Sequence, residues 1–331
     1  MPPQYLTQML DLFANHTILI SLSEITLIYN PKAGRLQRRP ELIEKASGWL
    51  APLGAVRMTP TTGPNTAGAL AADAAARGAK TVIAFGGDGT VNEVANGLIG
   101  TGVTLGIIPG GTANVICVET GLGTNPEKAA RRLVEECDPV RIAVGRVERP
   151  DGFSRHFLAM AGIGIDAIVV EEVNPAIKKR FGKFAYWVAG FSLAFRRLPQ
   201  LEYEVAGQSR RCSFLLASRV RNYGGDLEIA RRVSLLEPCF ETMAFHGVYA
   251  VRYLPYLAGV LGGFAAKMPG VHAAPAMNVA ARPAHGEHVP IQVDGEFAGQ
   301  LPAEFRVVPD ALTLLIPRAY VARSRRRPWI T

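Results

Sequence analysis

Short apolar runs alternate with helix-forming stretches along the first part of this 331-residue chain. Glu24–Tyr29, Ala55–Thr59, Thr81–Phe85 and Thr104–Ile108 have the length and apolar character of strands buried within a sheet. Pro40–Leu50, Ala67–Arg77 and Val91–Leu98 read as helices between them, and Asn125-Pro126 caps another that reaches about Glu136. Alternation this regular predicts an α/β domain with a doubly wound, mostly parallel sheet, whose ligand lies at the carboxyl ends of the strands.

From Val140 onward the period shortens to two. Strands are expected at Val140–Val147, Arg155–Ala161, Leu201–Val205, Arg211–Ser218, Gly247–Tyr253, Met277–Ala281, Val289–Val293, Glu304–Val308 and Leu312–Ile316. So many strands with few helices predict an antiparallel β-sandwich carrying helical insertions at Asp166–Arg197 and Tyr253–Lys267. The chain then divides into an extension (1–23), an α/β domain (24–139), a β-rich domain (140–317) and a basic tail (318–331) that packs back on the first domain.

The chemistry concentrates where the strands end. Thr81–Phe85 empties into Gly86, Gly87, Asp88, Gly89, Thr90, Val91, Asn92 and Glu93. Glycines let the backbone turn sharply against a ligand, and the helix that follows offers unpaired N–H groups and the positive end of its dipole, which suits phosphate. A carboxylate among such amides would repel a bare phosphate, so Asp88 implies a metal–nucleotide complex. No Lys-Ser/Thr follows, and the spacing is not that of a dinucleotide fingerprint, which excludes both common glycine signatures. The turn Asn30-Pro31-Lys32-Ala33-Gly34 leaves the first strand, and Pro109–Asn114, containing Gly111 and Thr112, leaves the fourth, all on one sheet edge.

Far downstream, Ile291–Glu296 brings Asp294 and Glu296 onto one face if its strand continues, with Gly295 between them. Such a pair suits phosphoryl transfer: one carboxylate takes the proton from an attacking hydroxyl while the other positions it or helps hold magnesium. Asp-Gly also opens many hairpins, and that reading stands beside the first.

Gly86–Glu93 resembles the nucleotide loop shared by the diacylglycerol kinase-like lipid kinases, the NAD kinases and the phosphofructokinases. Asn30–Gly34 resembles the motif that opens the lipid kinases, and Leu105–Asn114 the one that closes over their nucleotide. Phe157–Asp166 and Gly182–Tyr186 look like corresponding segments, and Asp294-Gly-Glu296 with the runs up to Pro317 is similar to the family's catalytic end. The resemblance covers Glu24–Pro317. It implies an NAD kinase/phosphofructokinase-like first domain, ATP and Mg2+ as cofactors, and a lipid hydroxyl as acceptor. Nucleotide contacts then fall to Asn30–Gly34, Thr61, Gly86–Glu93, Gly111, Thr112 and Asn114, with Asp88 facing the metal of Mg-ATP. Thr59 or Thr62 is an alternative to Thr61, as is a simple N-cap cluster. Asp294 and Glu296 become the base and its partner.

The chain departs from the family at Val115, where Asp is usual, at Arg231, where Pro is usual, and at Glu237-Pro238, which replace an Asp-Gly that helps bind a structural magnesium. Glu237, with the carbonyls of Ser234 and Cys239, is the remaining candidate for that cation. Two rivals follow, an NAD kinase-like enzyme and a lipid- or nucleotide-binding regulator without catalysis. The Asp-Gly-Glu ending favours the lipid kinase.

Composition adds the setting. The formal net charge is +8, with clustered arginines at Arg196-Arg197, Arg210-Arg211 and Arg325–Arg327. Without a nucleic-acid module this favours an anionic membrane surface over nucleic acid as partner. The apolar stretches Phe184–Phe195 and Tyr253–Ala266 fall short of the roughly 18–20 residues a membrane span needs. The four cysteines have no metal or disulfide spacing. A cytoplasmic protein peripheral to the inner membrane face is expected, with a homodimer left open.

Overall fold

The computed structural model describes residues 25–165, 167–168, 197–224 and 227–325. The extension at 1–23 and nearly all of the insertion expected at Asp166–Arg197, with Gly182–Tyr186, lie outside the described residues.

In the first domain β1 (Ile25–Tyr29), β2 (Val56–Pro60), β3 (Thr81–Gly86) and β4 (Thr104–Pro109) pair in parallel in the order β2-β1-β3-β4. Around them run α1 (Gly34–Arg38), α2 (Glu41–Leu50), α3 (Ala67–Ala76), α4 (Asp88–Leu98), α5 (Val115–Thr120) and α6 (Pro126–Glu135). Leu27, Ile28, Val82, Ile83, Phe85, Leu105 and Ile108 are buried, as two-sided cover requires. Each such side chain stabilises the fold by about 1.5–3 kcal/mol relative to exposure. Parallel pairing forces every crossover through a helix and so leaves the β1, β2, β3 and β4 exits on one edge.

β5 (Cys137–Glu148), β6 (Ser154–Phe157), β7 (Met160–Gly164), β8 (Leu201–Val205), β9 (Gln208–Cys212), β10 (Phe214–Ser218), β11 (Asn222–Tyr223), β12 (Leu227–Glu228) and β13 (Phe240–Phe245) follow. After α7 (Tyr253–Leu261) come β14 (Val271–Ala276), β15 (Asn278–Pro283), β16 (Pro290–Val293), β17 (Glu296–Gln300), β18 (Ala303–Pro317) and α8 (Arg318–Arg325). One sheet runs β14-β13-β10-β7-β16-β17, with each adjacent pair antiparallel. It faces β5, β6, β8, β9, β15 and the first part of β18 across a core of Val147, Phe157, Ile163, Leu215, Phe240, Val279, Ile291 and Phe305. Phe157 and Phe240 stack there with centroids 5.7 Å apart.

β18 joins the two halves. One of its edges pairs with β5 from Glu304 to Pro317, shifting register between Val308 and Leu312. Its other edge pairs antiparallel with β15 from Ala303 to Arg306, and parallel with β4 at Thr313 and Leu314. The change of sheet character expected at 140 therefore falls inside β5, and the two domains share a continuous ten-stranded sheet. The tail folds as α8: Tyr320 is buried, donates to Glu119 Oε1 (3.0 Å) and accepts from Leu235 N (2.9 Å), while Arg318 reaches Asp138 and the Glu135 carbonyl. Residues 326–331 lie outside the described part.

Several sequence expectations need correction. Gly247–Tyr253 is no strand; a 3-10 turn at Ala250–Arg252 runs into α7, and Tyr253 turns inward, its ring tilted against Phe245 and its hydroxyl sharing a hydrogen bond with Ser213. Arg155–Ala161 divides at Leu158 and Ala159, and Arg211–Ser218 divides at Ser213. Glu304–Val308 and Leu312–Ile316 are one strand with an irregularity around Asp310, whose φ is +47°. β13 and β14 were not anticipated: Glu241 and Thr242 are buried polar residues that break the apolar alternation of β13.

Candidate active site

The glycine-rich edge is built from loops that lock onto each other. Gly110 N donates to Gly86 O (2.7 Å), and a Cβ on Gly111 would fall 2.6 Å from Gly87 Cα, so no side chain fits between the loops. Asn114, at φ +50°, accepts from Gly111 N (2.9 Å) and donates to Gly111 O (3.0 Å), closing the loop on itself. Asp88 accepts from Asn114 N (2.9 Å) and Val115 N (2.6 Å), one amide on each carboxylate oxygen. The charge that suggested a metal among bare amides is thus already met by the start of α5. Val115 contributes its backbone N–H to this contact, which any residue there supplies.

The other loops are fastened likewise. Asn30 donates to Thr90 Oγ1 (3.2 Å) and accepts from Lys32 N (2.9 Å), and Arg35 N donates to Gly110 O (3.0 Å). Glu93 accepts from Asn65 N and Ala67 N, both at 2.9 Å, and so holds the turn after Thr61 onto the start of α3. Pro31 is half-buried, Ala33 and Val91 are buried, and Thr61, Gly87 and Gly89 are partly open. Lys32, Gly34 and Thr112 are exposed, and Thr112 Oγ1 would lie 3.8 Å from a Cβ on Gly34. All these residues lie at or just beyond the carboxyl edge of β1, β2, β3 and β4.

The second domain meets that edge at Asp294–Glu296, against Asn92 and Gly89. Val293 pairs with Glu296, and both Asp294 (φ +49°) and Gly295 (φ +83°) are left-handed, so the strand does not continue but turns back as a two-residue hairpin. The hairpin reading is the one the backbone adopts. Asp294 occupies this uncommon conformation because its carboxylate is fully engaged. One oxygen accepts from Ala159 N (2.8 Å) and Met160 N (2.9 Å), the other from Leu158 N (2.8 Å) and Asn92 Nδ2 (2.8 Å). Burial pushes its pKa up from the usual carboxylate range, and the three amides and Asn92 oppose that rise. Asp294 therefore explains the break between β6 and β7, whose amides turn out of the sheet to meet it.

Glu296 is differently placed. Its Oε2 pairs with Arg155 Nη2 (2.6 Å), and its Oε1 comes so near Gly89, in the first turn of α4, that a Cβ there would collide with it. The Glu296 side chain is 41% exposed against 20% for Arg155. No hydrogen-bond donor among the described residues reaches Oε1. Among the described residues no three His, Cys, Asp or Glu side chains cluster as a metal centre. Of the acidic groups of the described residues here, Glu296 is the one with an oxygen that no protein donor reaches.

Arg155, Asn96 and the amides of 158–160 were missed by sequence reasoning. Arg155 also donates to Asn92 Oδ1 (2.7 Å), and Asn92 and Asn96 both donate to the His156 carbonyl (3.1 and 3.0 Å). Two asparagines four residues apart on one helix face were a readable sign of a polar contact across it. The region of Glu237 holds a surprise: its carbonyl and that of Cys239 are both taken by the guanidinium of Arg219.

Residues 24–147 match the model of the diacylglycerol kinase catalytic domain, and residues 159–316 that of the YegS C-terminal NAD kinase beta sandwich-like domain. A diacylglycerol kinase of Mycobacterium tuberculosis is 30% identical over 258 residues, covering 75% of this chain and 81% of that protein. A diacylglycerol kinase of Bacillus subtilis is 26% identical over 284 residues, covering 84% and 91%. The crystal structure of a diacylglycerol kinase from Bacillus anthracis superposes with a TM-score of 0.71 at 21% identity, over 90% of this chain and 98% of that one, and shows the same two-domain fold. With glycine loops on one domain facing an Asp-Gly-Glu hairpin from the other, and with relatives of this kind across most of its length, the chain belongs to the diacylglycerol kinase-like family of lipid kinases.

Proposed function

We propose that the protein transfers the γ-phosphoryl group of Mg-ATP to the hydroxyl of diacylglycerol or a related lipid, with Glu296 accepting the proton of that hydroxyl. The observation that carries this reading is the Glu296 oxygen over Gly89: it sets a carboxylate beside the helix N-terminus where phosphates bind. Asp294, with both oxygens occupied by four donors, leaves no lone pair facing an incoming hydroxyl and holds the hairpin in place. The loops at Asn30–Gly34, Thr61, Gly86–Thr90 and Gly111–Asn114 would hold the nucleotide. Glu296 would be the residue to hold magnesium carried on the phosphates, which would supply charge neutralisation there; Asp88, which the resemblance sets facing that metal, is braced by the amides of Asn114 and Val115.

Because the transition state of phosphoryl transfer is loose, orientation of the lipid hydroxyl matters more than base strength. Lipid acceptors are reached at a bilayer surface, and no helix among the described residues is long and apolar enough to cross it. Arginines such as Arg323 and Arg325 at the tail fit attraction to an anionic leaflet. Labelled ATP, Mg2+ and a total lipid extract test the activity, with product identification by mass spectrometry. A phosphorylated lipid formed by the wild type and lost in Glu296→Gln is expected; no labelled lipid from the wild type overturns the reading. Sedimentation with anionic vesicles and not with neutral ones checks the membrane part.

A further inference from the structure

The loop between β12 and β13, where the family resemblance places a structural magnesium, is organised around a side chain. Arg219, just past β10, is fully buried. Its Nη1 donates to the carbonyls of Glu237 and Cys239 (2.9 Å to the latter), and its Nη2 to those of Ala143 (3.0 Å) and Leu235 (2.9 Å). Carbonyls from β5 and from the 235–239 loop thus converge on one positive charge. Nε has no partner, so the contact is made through the two terminal nitrogens. Burial brings the guanidinium's pKa down to about 10, which still leaves it charged at neutral pH.

Converging backbone carbonyls with a nearby carboxylate are what a hard divalent cation wants. Here the carbonyls of Glu237 and Cys239 are already consumed. A metal sharing them would sit in contact with a like charge inside a low-dielectric interior, which is strongly unfavourable. Magnesium therefore does not fit this place as the chain is built. We propose that Arg219 is the resident cation of this cage, so that the 234–239 loop folds without metal. The backbone of the same residue touches the site: the Arg219 main-chain N donates to Ala159 O (2.8 Å), and Ala159 N is one of the donors to Asp294. The inference does not depend on the kinase reading, since its test uses nucleotide-free protein.

Thermal unfolding in EDTA and in millimolar MgCl2 or CaCl2, with metal content measured after gel filtration, tests it. The wild type is expected to melt at the same temperature in each and to carry no stoichiometric metal. Arg219→Ala strands four carbonyls and is expected to lose roughly 5–10 °C. Millimolar Mg2+ or Ca2+ should restore part of that loss, because the emptied carbonyls then offer oxygen ligands close to the acidic Glu237. Stoichiometric metal in the wild type, an unchanged melting temperature in Arg219→Ala, or a loss that neither ion restores would each overturn the proposal. If Arg219→Ala does not fold, the wild-type metal content and melting temperatures decide alone.

Discussion

Asp88 and Glu93 lie on the glycine-rich edge of the first domain, Asp294 and Glu296 on the hairpin of the second, and the four carboxylates differ in what meets them. Asp88 and Glu93 each receive two backbone amides, and both brace loops. Asp294 receives four donors, one of them from the opposite domain. Glu296 is held by Arg155 on one oxygen and keeps the other open. The first region thus uses its acidic side chains to shape backbone for a ligand, whereas the second uses one acidic side chain to aim another.

The most direct way to break this contrast is Glu296→Gln. Steady-state lipid kinase assays should show a fall in kcat of about 10³-fold, as removal of a general base gives, with the melting temperature unchanged. Asp294→Asn should act on both axes. Its amide can no longer accept from all four donors, so we expect about 3 kcal/mol less stability in urea unfolding and a fall in kcat of about 10²-fold. An Asp294→Asn variant as stable as wild type would mean that the carboxylate is not the anchor of the hairpin.

Gly89→Ala sharpens the comparison from the other side. The new methyl collides with Glu296 Oε1 and should displace that carboxylate, lowering kcat about 10-fold while folding is kept. Glu93→Gln should have the smallest effect, about 1 kcal/mol of stability lost at the start of α3 with a modest rise in the KM for ATP. A collapse of kcat in Glu93→Gln at normal stability would move Glu93 from a bracing role into the chemistry.

Much of this was legible in sequence where a residue's role follows from its neighbours. Thr81–Phe85 and Thr104–Ile108 read as buried strands because nothing polar interrupts them, and the Asp-Gly of 294–295 spelled a hairpin through its φ requirement. The roles of Asp88 and Glu93 were not legible, because their partners are main-chain amides that every sequence contains. Arg155 and Arg219 were hidden for a related reason: one meets a helix sixty-three residues earlier, the other four carbonyls scattered over nearly a hundred residues. β13 was lost because Glu241 is buried in it, accepting from Arg232 N and Val233 N.

The strand β18 also sets an order of assembly. On a ribosome the first domain emerges with β4 unpaired along the edge that Thr313 and Leu314 later cover. An open edge on a buried parallel sheet invites pairing with other chains, and it persists until nearly two hundred more residues have been made. Nascent chains cut after α6 should therefore be sensitive to protease and prone to aggregate. Chains carried past Pro317 should become resistant in a single step, in which both domains close at once.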